Sequence, residues 1–470
     1  MSAKSEPKSK PKHKIPHVYV ILLIVVAICC ILTYVVPAGQ YGKMIAASGR
    51  EVVDPDSFTL VESTPIGLMG FFKSVPDGLV ATASIIFFIF IVGGSFAVVS
   101  ATGAIEAGIG TITKKMQGKE RIIIPVIVFV FSLGGAVFGM AEETLPFIPI
   151  MVTLAIALGF DSLTGIGMVL AGAGAGFAGA FMNPFTVGVA QGIAELPLFS
   201  GLGFRMIGYV VMVAITSVFL YRYAGKVKKN PELSLMYEFD MKRDDKLDLS
   251  HIEEFTPQRK RVLVVVLLTI VLLVFGVIRY GWYIQELAAL FLAMGIVVAL
   301  VGGLGLNGFA EELIKGMANI AGGAMVVGFA RAILVVLQDG SILDTILFSA
   351  AHVLTQLPSW FTAMGMYIFQ CLLNFIVPSG SGQAAVSMPI LAPLSDLVGV
   401  TRQTAVIAYQ YGDGISNIFT PTSGYFMAGL ALAKIPWDKW AKWILPLILI
   451  QYAFGAIYVY IAHFIQLGPF

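Results

Sequence analysis

The sequence predicts an all-α polytopic membrane protein, with nine transmembrane helices and two re-entrant hairpins arranged as two inverted repeats. Three observations predict this fold class. Of the 470 residues, 57% are hydrophobic and 12% are charged, whereas soluble domains carry about 25% charged residues. Apolar runs of about 20 residues recur along the chain, and each can cross a bilayer as a helix. Two segments about 240 residues apart interrupt such runs with matching polar breaks.

Four regions follow one another along the chain. Residues 1–16 are basic and Pro-rich, which predicts a disordered cytoplasmic tail. Residues 17–222 and 262–470 are predicted to form an N-terminal and a C-terminal half, each with one hairpin and one broken helix. Residues 223–261 carry mixed charges, so we expect a solvated cytoplasmic linker between the halves.

The predicted transmembrane helices are roughly 18–36, 77–103, 163–195, 203–222, 262–279, 283–303, 319–337, 402–433 and 441–465. Two further apolar pairs flank polar tips at Gly139–Pro146 and Pro378–Gln383. Each pair could be two full spans or one re-entrant hairpin. The polar tips favour hairpins, because non-helical backbone at membrane depth needs protein or a watery cavity to satisfy it.

Lysine and arginine residues predict the orientation, because cytoplasmic loops are enriched in them. With the N-terminus inside, 23 of the 30 fall on the cytoplasmic side, in the tail, residues 104–121, the loop 222–261, Lys315 and the segment 434–442. We therefore expect a multi-pass protein of the cell membrane with a cytoplasmic N-terminus and an extracellular C-terminus.

The two repeats share a sequence pattern. The first runs from Gly139 (GMAEETLPFIPI) to a break at 183–186 (NPFT), and the second from Ser379 (SGSGQAAVSMPI) to a break at 416–423 (SNIFTPTS). A shift of 240 residues superimposes Pro149 on Pro389, Gly159 on Gly399, Thr164 on Thr404, Gly172 on Gly412 and Gly174 on Gly414.

The predicted topology makes these repeats inverted. The helix 77–103 enters the membrane from outside, whereas its counterpart 319–337 enters from inside. Polar, Gly- and Pro-broken segments at matching positions of two inverted halves are typical of the substrate site of a secondary transporter.

Three acidic residues are placed at membrane depth, namely Glu142, Glu143 and Asp413, and each lies beside a tip or a break. Ionisable groups are costly in that environment, so they are candidates for function. Glu142 and Glu143 could receive a substrate ammonium or guanidinium, bind Na⁺, or carry a proton.

The second half supplies complementary groups. Asp413, Ser416, Asn417 and Thr420 could hold a sodium ion at an unwound helix. Residues 379–383 offer backbone N–H groups ahead of a helix, which suits an anion. Arg331 could bind a substrate carboxylate or could pair with Asp413 or Glu143.

The predicted substrate-binding residues are Glu142, Glu143, Thr144, Asn183, Thr186, Arg331, Ser379, Gly380, Ser381, Gly382, Gln383, Asp413, Asn417, Thr420, Thr422 and Ser423. In this hypothesis one of the paired glutamates binds the cationic end of an amino acid. Its carboxylate then lies against Arg331 or residues 379–383.

Enzyme function has little support. The five histidines have no metal-ligand spacing, and no nucleophile, zincin, Walker or dinucleotide motif is present. We expect no cofactor other than a coupling ion, sodium or a proton. The expected partners are a small-molecule substrate and the lipid bilayer, with no nucleic acid.

Four segments, MAEETLPFIPI, FMNPFT, VPSGSGQA and ISNIFTPTSGYF, resemble the YfcC-type branch of the dicarboxylate anaerobic carrier family. This family belongs to the ion transporter superfamily, with aminobenzoyl-glutamate and divalent-anion/sodium symporters as distant relatives. The resemblance covers nearly the whole chain beyond the tail. It implies a homodimer in which a scaffold domain supports a mobile elevator domain. It also implies a site at Glu142–Thr144, Asn183–Thr186, Ser379–Gln383 and Ser416–Ser423.

The resemblance leaves several substrate classes open. Members resemble arginine/ornithine exchangers, dicarboxylate carriers or short-chain carboxylate carriers. The Ser-Asn-Thr sodium signature of the divalent-anion symporters is only partly matched, by Ser416, Asn417 and Thr420, and the first half has Glu-Glu-Thr instead. This difference favours an amine-bearing substrate, so we expect exchange or uptake of a basic amino acid. The alternatives are a sodium- or proton-coupled dicarboxylate or short-chain carboxylate carrier and, more remotely, an ion channel.

Overall fold

The computed structural model describes residues 18–45, 51–54, 56–105, 107–108, 111, 118–243, 256–280, 282 and 284–468. The predicted tail at 1–16 lies outside these residues. The described chain is nearly all helical, which confirms the predicted α class. We label its α-helices in chain order.

The N-terminal half contains α1 (Val18–Val35), α2 (Leu68–Ala81), α3 (Ala83–Ala101), α4 (Ile123–Leu133), α5 (Phe147–Ala157), α6 (Ser162–Ala178), α7 (Val189–Ile193) and α8 (Leu202–Lys229). A five-residue helix, α9 (Tyr237–Met241), follows. The C-terminal half contains α10 (Pro257–Tyr280), α11 (Ile284–Val301), α12 (Gly305–Asp339), α13 (Leu343–Thr355), α14 (Ser359–Leu373), α15 (Gly380–Leu397), α16 (Arg402–Ser416), α17 (Gly424–Leu432) and α18 (Trp437–Phe464).

Four short strands follow α1. β1 (Gly39–Gln40) pairs antiparallel with β4 (Thr59–Leu60), placing Gly39 opposite Leu60. β2 (Lys43–Ile45) pairs antiparallel with β3 (Glu51–Val53), placing Met44 opposite Val52. This loop is fixed to the chain beyond α12, because the Tyr41 backbone N–H donates to Asp344 Oδ2 at 2.9 Å.

Five helical stretches of the described chain are long and apolar enough to cross a membrane: Ala83–Ala101, Glu120–Val137, Leu202–Lys229, Ile284–Val301 and Trp437–Phe464. A sixth is α12 if its two parts, which meet at 41°, count as one span. The apolar runs predicted at 77–103 and 163–195 are each divided. The first changes helix at Thr82, and the second ends at Ala178 before a new helical turn begins at Pro184.

Packing separates the helices into neighbouring groups. α12 packs against α1, α2 and α3, and α11 packs against α3. α6 packs against α4, α5 and α8, while α16 packs against α14, α15 and α18. The second and third groups meet where α6 packs against α16. α17, which also contacts α5 and α6, meets the first group where it packs against α12. The predicted tips and breaks lie around these meeting points.

The repeat-matched positions have matching local geometry. Gly159 and Gly399 both adopt the left-handed region, with φ of 83° and 70°, which disfavours any side chain. Two residues later, Asp161 Oδ1 accepts from the Thr164 backbone N–H at 2.9 Å, and Thr401 Oγ1 accepts from the Thr404 backbone N–H at 3.2 Å. Both α6 and α16 therefore begin with a side-chain N-cap.

The first part of the linker is packed rather than solvated as expected. Ser234 Oγ donates to Asp161 Oδ2 at 2.6 Å, and the Ser162 backbone N–H donates to Asp240 Oδ2 at 2.9 Å. Met236 is fully buried, and Arg243 donates to the backbone oxygen of Ala433. Mixed charge suggested solvation, but these side chains satisfy the ends of α6 and α17.

Candidate functional site

One cavity of about 310 Å³ lies between α12 and the predicted tips and breaks. Its wall combines residues of α2, α3, α6 and α12 with the two tips and both breaks. The residues lining it are Ala81, Thr82, Ile85, Gly139, Ala141, Glu142, Phe177, Phe185, Val327, Ala330, Arg331, Leu334, Ile376, Val377, Pro378, Ser379, Gly380, Ser381, Asn417, Thr422, Gly424 and Tyr425. Segments far apart in the sequence therefore share one space of small-solute size.

The first tip presents one of its two glutamates to the cavity. Residues 142–144 form a 3₁₀ turn. Glu143 Oε2 accepts from the Ala141 backbone N–H at 2.9 Å, and Thr144 Oγ1 donates to Ala141 O at 2.6 Å. These bonds turn Glu143 and Thr144 into the protein interior, whereas Glu142 lines the cavity.

Asn183 organises the first break without lining the cavity. Its Oδ1 accepts from the backbone N–H groups of Phe185 at 2.9 Å and Thr186 at 3.2 Å, so it caps the helical turn that Pro184 begins. Its Nδ2 donates to Gly135 O at 3.1 Å. Thr186 is fully buried, and its Oγ1 has no hydrogen-bond partner in the described chain.

Asn183 also explains the glycine that opens the first tip. Gly139 has a φ of 70°, and a Cβ there would lie 2.6 Å from Asn183 Oδ1. Both the backbone conformation and the space therefore require glycine. The first tip and the first break are in direct contact through this pair.

Arg331 reaches the cavity from α12. In the ranges that the structure describes, it forms no ion pair with Asp413 or Glu143, the pairing that the sequence left open. Its Nε is buried without a hydrogen-bond partner. Among the described lining residues, Arg331 is the one cation and Glu142 the one carboxylate.

The second tip divides between the cavity and the protein interior. Ser379, Gly380 and Ser381 line the cavity, and Ser379 Oγ caps α15 by accepting from the Gly382 backbone N–H at 3.3 Å. Gln383 instead joins the two arms of the tip. Its Nε2 donates to Gln370 Oε1 at 2.6 Å. Its Oε1 accepts from Asn374 Nδ2 at 3.1 Å.

Asp413 lies behind the second tip and is fully buried. Its Oδ1 accepts from Asn374 Nδ2 and from Asn417 Nδ2, both at 2.9 Å. Its Oδ2 has no hydrogen-bond partner in the described residues. This oxygen would lie 3.3 Å from a Cβ placed on Gly380.

The other polar residues of the second break have different partners. Ser416 Oγ donates to Gly412 O at 2.6 Å and contacts Tyr452 Oη at 2.8 Å. Thr420 Oγ1 and Thr422 Oγ1 are 2.5 Å apart, and Ser423 Oγ is buried without a partner in the described chain. Of the four residues expected to hold sodium, Asp413 and Asn417 are joined by a side-chain hydrogen bond. Ser416 and Thr420 are joined only through their backbones, where the Thr420 N–H donates to Ser416 O at 3.0 Å.

Sequence reasoning missed several lining or bracing residues. Thr82 lies between α2 and α3 within an apolar run, and Tyr425 follows the second break. Gln370 and Asn374 brace the second tip from α14 and its end. The polarity of these two residues within an apolar run was a usable signal, whereas a lone Thr82 gave none.

Nearly the whole chain aligns with a family of membrane carriers. Residues 15–464 match the sequence profile of the family described as "C4-dicarboxylate anaerobic carrier". A protein of Escherichia coli K12 named "Putative basic amino acid antiporter YfcC" is 38% identical, over 94% of this chain and 95% of its own length. An uncharacterized protein of Haemophilus influenzae Rd is 30% identical, over 94% of this chain and 95% of its own length.

Two solved transporter structures align along nearly the full length, each with a TM-score of 0.44. The Alcanivorax borkumensis YdaH transporter is 16% identical, over 97% of this chain and 99% of its own. Neisseria gonorrhoeae MtrF is 18% identical, over 96% of each chain. From the family match and the curated relatives, the chain belongs to the C4-dicarboxylate anaerobic carrier family and is a membrane transporter.

Proposed function

We propose that this protein is a secondary active transporter that moves a small, amino acid-like solute across the cytoplasmic membrane. The favoured substrate is a basic amino acid, arginine or ornithine, which is exchanged or taken up. The relative from Escherichia coli, named as a basic amino acid antiporter, supports this choice. The observation that carries the proposal is a single cavity lined by both Glu142 and Arg331.

The balance of charge around the cavity favours a cationic substrate. Glu142 lines it, and Glu143 and Asp413 lie buried at the adjoining tip and break, whereas Arg331 is the one cation among the described lining residues. An amino acid carboxylate can pair with Arg331 or with the backbone N–H groups of Gly380 and Ser381 in the first turn of α15. The Ser379 N–H already donates to Val377 O at 2.8 Å. An ammonium or guanidinium can pair with Glu142. A dicarboxylate would bring two further negative charges to a wall that already carries acids.

The coupling ion is a second part of the proposal. Asp413 Oδ2 is a buried carboxylate oxygen without a described partner, and Asn417 lies beside it. Carboxylate and amide oxygens are ligands that suit a dehydrated sodium ion, and the same carboxylate could carry a proton. We propose sodium at Asp413 and Asn417, with Ser416 and Thr420 joining only if their hydroxyls reorient.

We further propose nine spans, two re-entrant hairpins and inverted repeats, in a homodimer that works as an elevator. α1, α2, α3, α11 and α12 would form the scaffold, while the tips and breaks move. The contacts at the boundary support sliding because they are apolar: a Cβ on Gly424 of α17 would meet Val327 of α12, and one on Gly93 of α3 would lie 3.4 Å from Leu432 of α17. Cysteine pairs between Ser381 and the α12 wall should cross-link in two vertical registers.

A dicarboxylate or short-chain carboxylate carrier is the second candidate. The family description and the N–H groups of the second tip favour it. Counterflow separates the two candidates. Proteoliposomes loaded with unlabelled arginine should accumulate labelled arginine. Proteoliposomes loaded with an unlabelled C4-dicarboxylate should not accumulate the labelled C4-dicarboxylate. Accumulation of the dicarboxylate alone would replace the amino acid proposal. Single-channel currents would instead indicate a channel.

A further inference from the structure

A buried arginine joins the two halves of the chain near the first break. Arg205 lies in the first turn of α8 and is 2% exposed. Its Nη1 donates to Gln410 Oε1 at 2.5 Å, and its Nη2 donates to Gln403 Oε1 at 3.0 Å. Both glutamines belong to α16, so one guanidinium fixes α8 to α16.

The partners of Arg205 are unusual for a buried cation. Its third bond runs from Nε to the backbone oxygen of Ser200 at 3.3 Å. Within the part of the chain that the structure describes, all three acceptors are neutral and Arg205 forms no ion pair. Burying a charge without a counter-charge is costly, and an apolar side chain of similar length would avoid that cost.

Gln410 connects this arginine to the wall of the cavity. Its Nε2 donates to Ala180 O at 2.7 Å and to Ala178 O at 3.3 Å. Ala178 ends α6, where a helix carries partial negative charge, and Ala180 lies just beyond that end. Phe177 precedes them and lines the cavity, and the first break follows them.

The chemistry of Arg205 and Gln410 determines which way round the Gln410 carboxamide lies. Arg donates hydrogen bonds and cannot accept them, whereas a carboxamide has one accepting and one donating end. Arg205 therefore holds the Gln410 oxygen toward itself and leaves the amide nitrogen to face the α6 carbonyls. A reversed carboxamide would place its oxygen against those carbonyls and its N–H groups against the guanidinium.

We infer that Arg205 is a positioning residue for the cavity and acts through Gln410. The guanidinium orients the Gln410 carboxamide, which fixes the end of α6 and thereby Phe177 and the start of the first break. This role goes beyond the proposed substrate, because it applies to any solute that contacts the same wall.

Gln410→Glu separates positioning from simple charge pairing. The new carboxylate would pair well with Arg205, but it has no donor for Ala178 and Ala180. Arg205→Met removes the charge that orients Gln410. Arg205→Lys keeps a positive charge but loses the planar pair of Nη donors that reach Gln410 and Gln403. Gln451→Leu is the matched control. Like Gln410, Gln451 is a fully buried glutamine that is hydrogen-bonded to α8: its Nε2 donates to Thr216 Oγ1 at 3.0 Å. It lies on α18, however, and not on α16.

The test is hydrogen–deuterium exchange of full-length protein in nanodiscs, together with labelled-arginine counterflow. In Gln410→Glu and Arg205→Met we expect amides 177–188 to exchange about tenfold faster or more, with Arg205→Lys intermediate. The half-saturating arginine concentration should rise while the maximal rate stays within about twofold. Gln451→Leu should leave these amides and the half-saturating concentration unchanged.

Wild-type exchange of amides 177–188 in Gln410→Glu would overturn the inference, even if Arg205→Met failed to fold. The counterflow measurement rests on the proposed function, whereas the hydrogen–deuterium exchange measurement does not. If arginine is not carried at all, faster exchange in Gln410→Glu still supports the positioning role while the proposed substrate is discarded.

Discussion

Asn417 Nδ2 donates a hydrogen bond of 2.9 Å to Asp413 Oδ1, and this bond links a cavity-lining amide to a fully buried carboxylate. The other oxygen of Asp413 faces the region of Gly380, on the second tip. Tyr409 Oη donates to the Gly380 backbone oxygen at 2.6 Å and holds the tip in place. The buried carboxylate is therefore coupled to the cavity wall from two sides.

The close approach at Gly380 predicts a strong effect from a single methyl group. A Cβ there would lie 2.7 Å from Thr186 Cγ2 and 3.3 Å from Asp413 Oδ2. Gly380→Ala should therefore displace the second tip from the first break and reduce arginine counterflow about tenfold or more. Gly203→Ala is the control, because a Cβ at Gly203 meets nothing within 4 Å. Equal transport by both variants would contradict the close approach.

Asp413 is expected to carry the sodium dependence. A ligand that binds only the folded state stabilises it by about 2.7 kcal/mol at a hundredfold excess over its Kd. Thermal unfolding of the wild-type protein should therefore shift upward when sodium replaces choline. Asp413→Asn should lose this shift because the carboxylate charge is gone. An equal sodium shift in Asp413→Asn would place the ion elsewhere.

Arg331 is expected to recognise the substrate carboxylate. Truncating one partner of a buried, hydrogen-bonded charge pair costs about 2–5 kcal/mol. Arg331→Met should therefore weaken arginine binding about thirtyfold or more. Agmatine, which is arginine without its carboxylate, should bind both proteins within about twofold. An equal loss for arginine and agmatine would assign Arg331 a structural role instead.

The matched N-caps of α6 and α16 predict unequal losses of stability. Thr401→Ala removes one cap, which is worth about 1 kcal/mol. Asp161→Ala removes a cap and also the acceptor for Tyr223 Oη and Ser234 Oγ, both at 2.6 Å. The free energy of unfolding should therefore fall by about 4 kcal/mol or more, about 1 kcal/mol for the cap and at least about 1.5 kcal/mol for each hydroxyl that loses a charged acceptor. Thermal unfolding measures both variants, and equal losses would argue that the packed linker contributes nothing.

The sequence predicted the family and the helical class correctly because both depend on composition and local motifs. Glu142 and Arg331 could be singled out as candidates from the sequence, since charge within an apolar run is rare. Their placement around one cavity depends on how α12 meets the tips, which no local pattern encodes.

Long-range polar contacts were the hardest to predict. Gln370, Asn374 and Gln383 brace the second tip across residues that are not neighbours in sequence. The first part of the linker, up to Arg243, was misread because Asp240 and Arg243 look like solvated charges in isolation. The structure instead pairs them with each other and with helix ends. The partners of a charged side chain, rather than its residue type, decide whether it is solvated or packed against a helix end.

The most direct test of the account compares Glu142→Gln with Glu143→Gln. Glu142 lines the cavity, whereas Glu143 accepts a hydrogen bond from the Ala141 backbone and faces the interior. Leaving a bound cation unpaired typically costs about 3–5 kcal/mol, which is roughly a hundredfold or more in affinity. Labelled-arginine counterflow should therefore be abolished in Glu142→Gln. Glu143→Gln should retain arginine affinity, because its amide oxygen can still accept from the Ala141 N–H. Wild-type arginine exchange by Glu142→Gln, or transport of dicarboxylates alone, would contradict the account.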